Sequence, residues 1–387
     1  MNSNVSKWSS GIPGAEEFFV VVRPESGGTF AEQLVRVFSG YQAALKEHGL
    51  DLATGLTLNV FLSDAANQEE VLRHHWAFVA VVEAGVAVTV VQQPPVGGKI
   101  ALLGYHVRRP AGTATRTAVV VNGAKKQAMG VIVTTDAYQF HYQRNLLAEG
   151  MVGAGDQTTH LMGVPGCCVQ SNGVNLTDVV RTWIYISNID LNYLAISKAR
   201  NRVFDRFGIS KETGFPASTG IDGRSSDHRD IVLLDVLAVK GLKTGQSRAM
   251  CAPKNMNPTM EYGVAFERGR ELVFGDRRHL YISGTASINH KGEVLYPGDV
   301  SRQAERAIEN VAALLEASGA ELSDMRYVIV YLRDVADASV VEAAFAASRL
   351  GGVPRVMVFG PVCRPGWLVE LEGVAIDGKG EADFAPF

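Results

Sequence analysis

The last third of the chain shows the clearest pattern of hydrophobic and polar positions. Residues 271–288 alternate around a turn at Gly275-Asp276-Arg277, which predicts a β-hairpin. After Asp299, a good N-cap, apolar residues recur at helical spacing over 300–315, and Gly319 supplies the stop. A strand over MRYVIVYLRD, a helix over SVVEAAFAASRL and strands around RVMVFG and WLVELEGVAI complete the unit. The order β-β-α-β-α-β-β predicts a mixed sheet with both helices on one face.

This pattern occurs three times in the chain. Residues 30–64, 154–188 and 300–334 superimpose without a gap, and their shared positions include Gln33, Gln157 and Gln303, then Gly49, Gly173 and Gly319, then Phe61, Tyr185 and Tyr331. A repeat of this kind must be recognised before any other assignment. Each unit leaves one sheet face to bury. We therefore expect an α+β protein whose three units form an intramolecular pseudo-trimer, with a barrel-like sheet core inside a coat of helices.

The unit boundaries are predicted from Gly, Pro and Ser near residues 110–114 and 244–257. They divide the chain into a degenerate N-terminal unit (1–112), a second unit (113–256) and a C-terminal unit (257–387). The second copy contains one conflict, because Pro165-Gly166 falls within its first expected helix and removes a backbone donor. That helix is expected to be shortened or bent.

Composition excludes several classes of partner. The 387 residues are 47% hydrophobic and 20% charged, with a net charge of −3 and no run of basic residues, which disfavours a nucleic-acid partner. No apolar stretch reaches the roughly 18 uncharged residues of a membrane span, and the N-terminus lacks a secretory signal. The four cysteines form neither a disulfide framework nor a metal set, so a reduced, cytoplasmic location is expected. A Cys363 nucleophile would need a nearby base.

The third copy resembles the RidA/YjgF family, whose fold is chorismate-mutase-like. The resemblance lies in LYISGTASI, GDVSRQAERAIENVAALLEASGAELSDM, VYLRD, VPRV and LVELEGVAI, over about residues 262–377. It implies a ligand site at an interface between units, an Arg that holds a carboxylate and a Glu fifteen residues later that positions or activates water. Arg355 and Glu370 have this spacing.

A second resemblance, to the chorismatases, covers residues 176–377. It is carried by VVRTWIYISNID, by Tyr193 followed seven residues later by Arg200, and by GISKETGFPASTGI. In that family the Tyr and the Arg contact the substrate, which implies the same for Tyr193 and Arg200. The essential chorismatase Glu in V-E-I-E-G corresponds to Glu370 in VELEG.

Further chorismatase positions fall in the third unit. An Arg in an A-A-R-L context corresponds to Arg349, and the segment that opens the C-terminal unit resembles EYGVAFERG, which contains Arg268. Gly284 occupies a position where the family has Gly or Ala, and Gly goes with the members that form a hydroxybenzoate. The chorismatase pattern has no Arg at the position of Arg355.

The chemistry of chorismate fits this set of residues. Its two carboxylates require cationic forks, for which Arg200, Arg268, Arg349, Arg355 and Arg181 are candidates. A desolvated Glu370 can retain its proton and act as a general acid. The alternatives to a role in substrate binding are an exposed helical position for Arg200 and a structural ion pair for Arg181. By the same register, Leu233 and Ala101 take the place of Glu370 in copies two and one, and Asp235 corresponds to Glu372 and is expected to be structural.

We therefore predict hydrolysis of chorismate to pyruvate and a hydroxybenzoate, with 3-hydroxybenzoate favoured, or a dihydroxycyclohexadienoate. The alternatives are a RidA-type enamine/imine deaminase and a non-catalytic protein that binds a small ligand. No organic cofactor is expected, since GxGxxG after a strand, a P-loop and HExxH are all missing, and no metal is expected at His74-His75. The expected partner is a small carboxylate substrate, bound by a monomer or a small homo-oligomer.

Overall fold

The structure is a computed structural model that describes residues 2–11, 14–23, 26–119, 130–163 and 173–387. Over these residues the chain has a mixed α+β fold built on three sheets. The adjacent Cys167 and Cys168, and the predicted break at Pro165-Gly166, lie outside the described residues. The helix that precedes them spans Ala154–Gly163.

Each sheet is assembled from strands that are close in sequence. The first contains β1 Asn2–Trp8, β2 Glu16–Arg23, β3 Gly55–Leu62, β4 Ala87–Gln92 and β5 Ile100–Arg108. The second contains β6 Thr115–Val119, β7 Gly130–Thr134, β8 Gln139–Leu147, β9 Val179–Ile186, β10 Ala217–Asp222 and β11 Val232–Lys240. The third contains β12 Ser247–Met250, β13 Gly269–Val273, β14 Arg278–Ala286, β15 Met325–Leu332, β16 Arg355–Phe359 and β17 Val369–Asp377.

The helices alternate with the strands as the pattern predicts. Those of the described residues are α1 Phe30–Glu47, α2 Ala65–His74, α3 Trp76–Glu83, α4 Ala154–Gly163, α5 Ile189–Arg206, α6 Val300–Ala317 and α7 Ala338–Ala347. At the start of α6 the Asp299 carboxylate accepts a hydrogen bond from the Arg302 backbone N–H at 3.0 Å, as an N-cap does. Gly319 follows the helix with φ of 72°, a left-handed conformation that favours glycine. Within the described residues, no helix is long and apolar enough to cross a membrane.

The three sheets share one strand order. The orders β1-β2-β5-β3-β4, β7-β8-β11-β9-β10 and β13-β14-β17-β15-β16 correspond strand by strand, and the last two strands of each are parallel. The second and third sheets carry one more edge strand each, β6 and β12. Strand β12 pairs with β13 of the third sheet, although the sequence prediction places its residues in the second unit.

Both faces of these sheets are buried. In β2, Phe18 and Val20 pack with residues of α1, whereas Phe19 and Val21 belong to a core that contains side chains from all three sheets. This follows from strand geometry, because successive side chains point to opposite faces. The sheets therefore have an outer face beneath helices and an inner face that is shared.

The repeated glutamine has the same task in each unit. The Gln33 side chain accepts a hydrogen bond from the Lys99 backbone N–H, Gln157 from Ile231 and Gln303 from Leu368. Each bond joins the first long helix of its unit to the residue just before the unit's last strand. The buried amide thus fixes where that strand begins, which explains why glutamine occurs in register.

Candidate functional site

The candidate site lies where β17 of the third sheet meets β10 and α5 of the second. Glu370 is the second residue of β17 and pairs with Ala286 on one side and with Tyr331 on the other. Its side chain is only 5% exposed. Glu370 and Glu372 point to the same face, because alternate residues of a strand share a side.

A pocket with an empty volume of about 480 Å³ opens beside Glu370. Residues of the second and third units line it together: Tyr193, Arg200, Ser218, Gly220, Phe266, Arg268, Gly284, Ala286, Ile288, Cys363, Trp367 and Glu370. Five of the residues singled out in the sequence are therefore brought together, namely Tyr193, Arg200, Arg268, Gly284 and Glu370.

The carboxyl group of Glu370 is set up to hold a proton. Its pKa is raised from 4.5 to about 8, first by burial and then by the nearby Glu372 carboxylate, against the opposing effects of Arg268 and Arg181. Desolvation disfavours the charged form of any carboxyl group. At neutral pH this group is therefore mostly protonated, and it can donate a proton to a molecule in the pocket.

Two cationic side chains border the same space. The Arg200 guanidinium carbon lies 5.8 Å from the centre of the Phe266 ring, and that of Arg268 lies 5.9 Å from it. Arg268 is oriented by Asn257, whose carbonyl oxygen accepts hydrogen bonds from Nε at 3.1 Å and Nη2 at 3.0 Å. Both guanidinium groups are buried, so an anion in the pocket would meet them with little screening by water.

Gly284 makes room for the acid. A Cβ atom added at this position would lie 2.8 Å from Cδ of Glu370 and would overlap one of its carboxyl oxygens. The Gly284 backbone N–H donates a hydrogen bond to Oγ1 of Thr219 at 3.0 Å, which joins the two units at this point. The lack of a side chain at 284 is thus a steric requirement of the Glu370 position.

Cys363 also lines the pocket, but as a thiol. Burial and the neighbouring Glu370 raise its pKa to about 12. The thiolate is the nucleophilic form of cysteine. The structure therefore argues against the sequence-level alternative of a Cys363 nucleophile.

Two predicted substrate contacts lie elsewhere. Arg355 pairs with Glu342 of α7, where Nε lies 3.1 Å from Oε2 and Nη2 contacts Oε1, and its Nη1 donates to the Gly351 carbonyl oxygen at 3.1 Å. It borders a different depression, shared with Arg23 and His48 of the first unit. Arg349 is 75% exposed and faces Glu321 at 3.6 Å. Neither Arg349 nor Arg355 therefore lines the pocket beside Glu370, since each guanidinium lies beside a carboxylate elsewhere.

One residue near the acid was not predicted to take part in the site, namely Glu372, two positions after Glu370 on the same strand face. Glu372 accepts hydrogen bonds from Arg181 Nη2 at 2.6 Å, Trp183 Nε1 at 3.0 Å, the Tyr331 hydroxyl at 2.9 Å and the Thr219 hydroxyl. The ion pair expected for Arg181 is present and is buried. The signal was available in the alternation of VELEG, which places both carboxyl groups on one face. Among the described residues, no group of His, Cys, Asp and Glu is arranged to hold a metal ion.

Comparison with known proteins agrees with this architecture. The family model described as Endoribonuclease L-PSP matches residues 272–377. A RutC family protein of Pyrococcus horikoshii is 31% identical over 125 residues, which cover 32% of this chain and 90% of that protein. The chain belongs to the RidA/YjgF superfamily. The family model thus matches the third unit, which also contains Glu370.

Chorismatases are among the proteins that this chain resembles. A chorismatase of Streptomyces rapamycinicus is 29% identical over 219 residues, covering 51% of this chain and 63% of that enzyme. A crystal structure of a chorismatase superposes with a TM-score of 0.61 at 21% identity, over 94% of this chain and all of that one, which shows a shared fold. A 2-iminobutanoate/2-iminopropanoate deaminase of Rattus norvegicus is 26% identical over 102 residues, which are 26% of this chain and 74% of that enzyme.

Proposed function

We propose that this protein is a chorismatase-like enzyme that releases pyruvate from chorismate with Glu370 as the general acid. One observation carries the proposal: a buried carboxyl group with a pKa of about 8 faces a pocket that also contains two buried arginines. Likeness to a chorismatase over about half of the chain supports the same conclusion.

The proposed substrate contacts follow from charge. Chorismate carries two carboxylates, and Arg200 and Arg268 are the guanidinium groups of the pocket that can take one each. Tyr193 of α5 lines the same wall and offers a hydroxyl group to the substrate. Arg349 and Arg355 have no part in this binding mode, because each is engaged by a carboxylate outside the pocket.

In the proposed reaction, Glu370 donates its proton to the methylene carbon of the enol ether. The adjacent carbon becomes an oxocarbenium-like cation, which water or the neighbouring ring hydroxyl captures. With water, a hemiketal forms and one proton of the added water returns to Glu370. The hemiketal bond to the ring oxygen then breaks, the hemiketal hydroxyl proton passes to that oxygen, and pyruvate leaves. The second product is then a dihydroxycyclohexadienoate.

We propose 3-hydroxybenzoate as the favoured second product. It requires the loss of one water from the ring, so that chorismate is divided into pyruvate and hydroxybenzoate without net uptake of water. Support comes from Gly284, since in the chorismatase resemblance Gly at this position accompanies formation of a hydroxybenzoate. Its lack of a Cβ also leaves space beside the acid.

The test is incubation with chorismate, with pyruvate measured by a coupled assay and the ring product identified by chromatography against standards. We expect pyruvate and 3-hydroxybenzoate from the unaltered chain and background levels from Glu370→Gln. Pyruvate release should fall as the pH rises through about 8, where Glu370 loses its proton. Failure of the unaltered chain to release pyruvate would sink the proposal.

The same preparation tests the two alternatives. A RidA-type deaminase would instead hydrolyse an imine generated from an amino acid, and it would depend on Arg355. A non-catalytic protein that binds a small carboxylate would show binding by calorimetry and no turnover that Glu370→Gln could remove.

We also propose that the three units form an intramolecular pseudo-trimer. The equal strand orders and the core shared by three sheets support it. The unit boundaries are proposed in the connections 109–114 and 241–246, the second being moved from residue 256 because β12 pairs with the third sheet. Light scattering in solution would test the expectation of a monomer or a small homo-oligomer.

A further inference from the structure

Behind the acid lies a buried carboxylate that is fixed mainly by the neighbouring unit. Three of the four donors to Glu372 come from the second unit, namely Arg181, Trp183 and Thr219. Only Tyr331 belongs to the same unit as Glu372. Since both Arg181 and Glu372 are at most 2% exposed, this ion pair is shielded from solvent, and the Glu372 charge acts on its surroundings at low dielectric.

Thr219 connects this carboxylate to the acid. Its hydroxyl donates to Glu372 and accepts hydrogen bonds from Arg181 Nη2 at 2.7 Å and from the Gly284 backbone N–H at 3.0 Å. Gly284 is the residue against which the Glu370 carboxyl group rests. The Thr219 side chain therefore hydrogen-bonds both to Glu372 and to the strand that contains Gly284.

The joint between the first and second units has a corresponding buried carboxylate without the acid, held by a threonine of the first unit and an arginine of its own unit. Asp235, which corresponds to Glu372, accepts hydrogen bonds from the Thr89 hydroxyl at 2.6 Å and from Arg144 Nη1 at 3.0 Å. Leu233 pairs with Tyr185 as Glu370 pairs with Tyr331, so a leucine stands where the acid would be. The second joint thus supplies a buried carboxylate of similar setting with no neighbouring acid to influence.

We infer that Glu372 is a positioning residue for Glu370, and that its carboxylate, fixed by the second unit, keeps the neighbouring carboxyl group protonated and ready to donate. The inference rests on the proposed function of Glu370 as a general acid and extends it. Its consequence is that the acid is competent only when the second and third units are docked. The residue acts through Glu370 and needs no contact with substrate.

The effects of the other charged groups on the pKa of Glu370 are consistent with this role. Arg268 and Arg181 lower the pKa of Glu370, while Glu372 is the largest charged influence that raises it. Arg200 and Tyr193 of α5 and the Cys363 thiol complete the titratable lining of the pocket. Loss of the Glu372 charge should therefore leave Glu370 under the net influence of cations, which lowers its pKa.

The experiment is a pH titration of the whole chain labelled with ¹³C at the glutamate carboxyl carbons and followed by NMR, with the Glu370 signal assigned by its loss in Glu370→Gln. We expect this signal to titrate near pH 8 in the unaltered chain. Glu372→Gln should move the titration down by roughly one pH unit or more. Glu372→Asp retains the charge and should keep the titration near its original pH.

Asp235→Asn is the matched control, because it neutralises the corresponding carboxylate at the joint that has no acid. It should leave the Glu370 titration unchanged. The double variant Arg181→Met/Glu372→Gln removes both charges together, so it avoids a buried unpaired arginine if the single variant fails to fold. It should still lower the titration, because Glu372 has the larger influence of the two on Glu370.

The inference is overturned if Glu372→Gln and the double variant both leave the Glu370 titration in place, or if Asp235→Asn lowers it equally. These readouts need no substrate. A chain that releases no pyruvate from chorismate but shows the expected titrations would refute the proposed function and leave the coupling between the two carboxyl groups standing. Where pyruvate is released, the alkaline limb of its pH profile should move with the NMR titration.

Discussion

The joint between the second and third units and the joint between the first and second units share a buried carboxylate at the corresponding strand position, but they differ in the residue beside it and in the unit that supplies the arginine. Both bury a carboxylate, Glu372 or Asp235, that is held by a threonine of the preceding unit, Thr219 or Thr89. Two residues before the carboxylate, on the same strand face, the joint between the second and third units has Glu370. The joint between the first and second units has Leu233 at that position. The buried carboxylate therefore occurs with and without the acid, so it serves to join sheets in both places and acquires a second role in one.

The two joints should differ most in how a substitution at the corresponding position affects the rate of pyruvate release. Glu370→Gln should reduce pyruvate release by roughly 10²–10⁴-fold, the usual contribution of general acid catalysis. Leu233→Gln, made at the corresponding position of the other joint, should leave the rate within about twofold, since that position is not in the proposed site. Steady-state kinetics with chorismate measure both, and equal losses in the two variants would remove the distinction between the joints.

The next largest effect should be common to the two joints. Removing one partner of a buried, hydrogen-bonded pair costs about 3–5 kcal/mol, because the other charge is left unpaired. Glu372→Ala and Asp235→Ala should both lower the free energy of unfolding by this order, as measured in denaturant titrations. If only one variant is destabilised, the two carboxylates do not play the same structural part.

The acid itself should reduce stability, unlike Leu233. The raised pKa means that the folded state binds more protons than the unfolded state between about pH 4.5 and 8, so the free energy of unfolding falls as the pH rises through that window. Glu370→Gln should therefore stabilise the chain at pH 7 by up to roughly 3 kcal/mol. The gain should vanish below pH 4.5, and a variant whose melting temperature does not depend on pH in this way would contradict the raised pKa.

A smaller effect is expected from the space beside the acid. Gly284→Ala would press a methyl group against Glu370, and overpacking of this kind costs about 1–3 kcal/mol, so pyruvate release should fall about tenfold and the product ratio should move towards the dihydroxycyclohexadienoate. Gly220→Ala is the control, because its Cβ would lie at an ordinary 3.4 Å from the Tyr193 ring in the same pocket. Chromatography of the ring products compares the two, and equal product ratios would deny Gly284 its steric role.

The smallest effect is expected at the arginines outside the pocket. Arg349→Ala should change neither the rate nor the stability by a measurable amount, since exposed ion pairs contribute about 0–1 kcal/mol. Arg355→Ala should lower stability through the lost Glu342 pair and leave kcat/KM for chorismate within about twofold. A large loss of kcat/KM for chorismate in Arg355→Ala with full stability would contradict this expectation and give Arg355 a part in substrate binding.

The sequence was informative where function depends on position along a strand or in a repeat. The three-copy register predicted the order of helices and strands along the chain, the helix stop at Gly319 and the place of Leu233 at the position of Glu370, because these depend on local periodicity. It also nominated five residues that the structure brings into one pocket, whose roles in catalysis stay predictions. Residues on different units met as expected because the units were recognised as copies.

The differences between expectation and structure concern long side chains. Arg355 lies on β16, the strand that precedes the Glu370 strand in the sequence. Its guanidinium contacts Glu342 on α7, a partner that sequence spacing does not reveal. Glu372 was overlooked because its four donors come from four separate positions, three of them in another unit. Such contacts depend on how sheets face one another, which periodicity does not specify.

The strand position held by Thr219 and Thr89 is Val356 in the third unit, and the first unit has Ala101 opposite Phe61 where the third has Glu370 opposite Tyr331. In an assembly of three identical chains, one mutation would alter every joint at once. In the proposed pseudo-trimer each joint is encoded separately, so residues at one joint can change while the other two stay as they are. Covalent linkage of the copies would in this way make three interfaces independently variable.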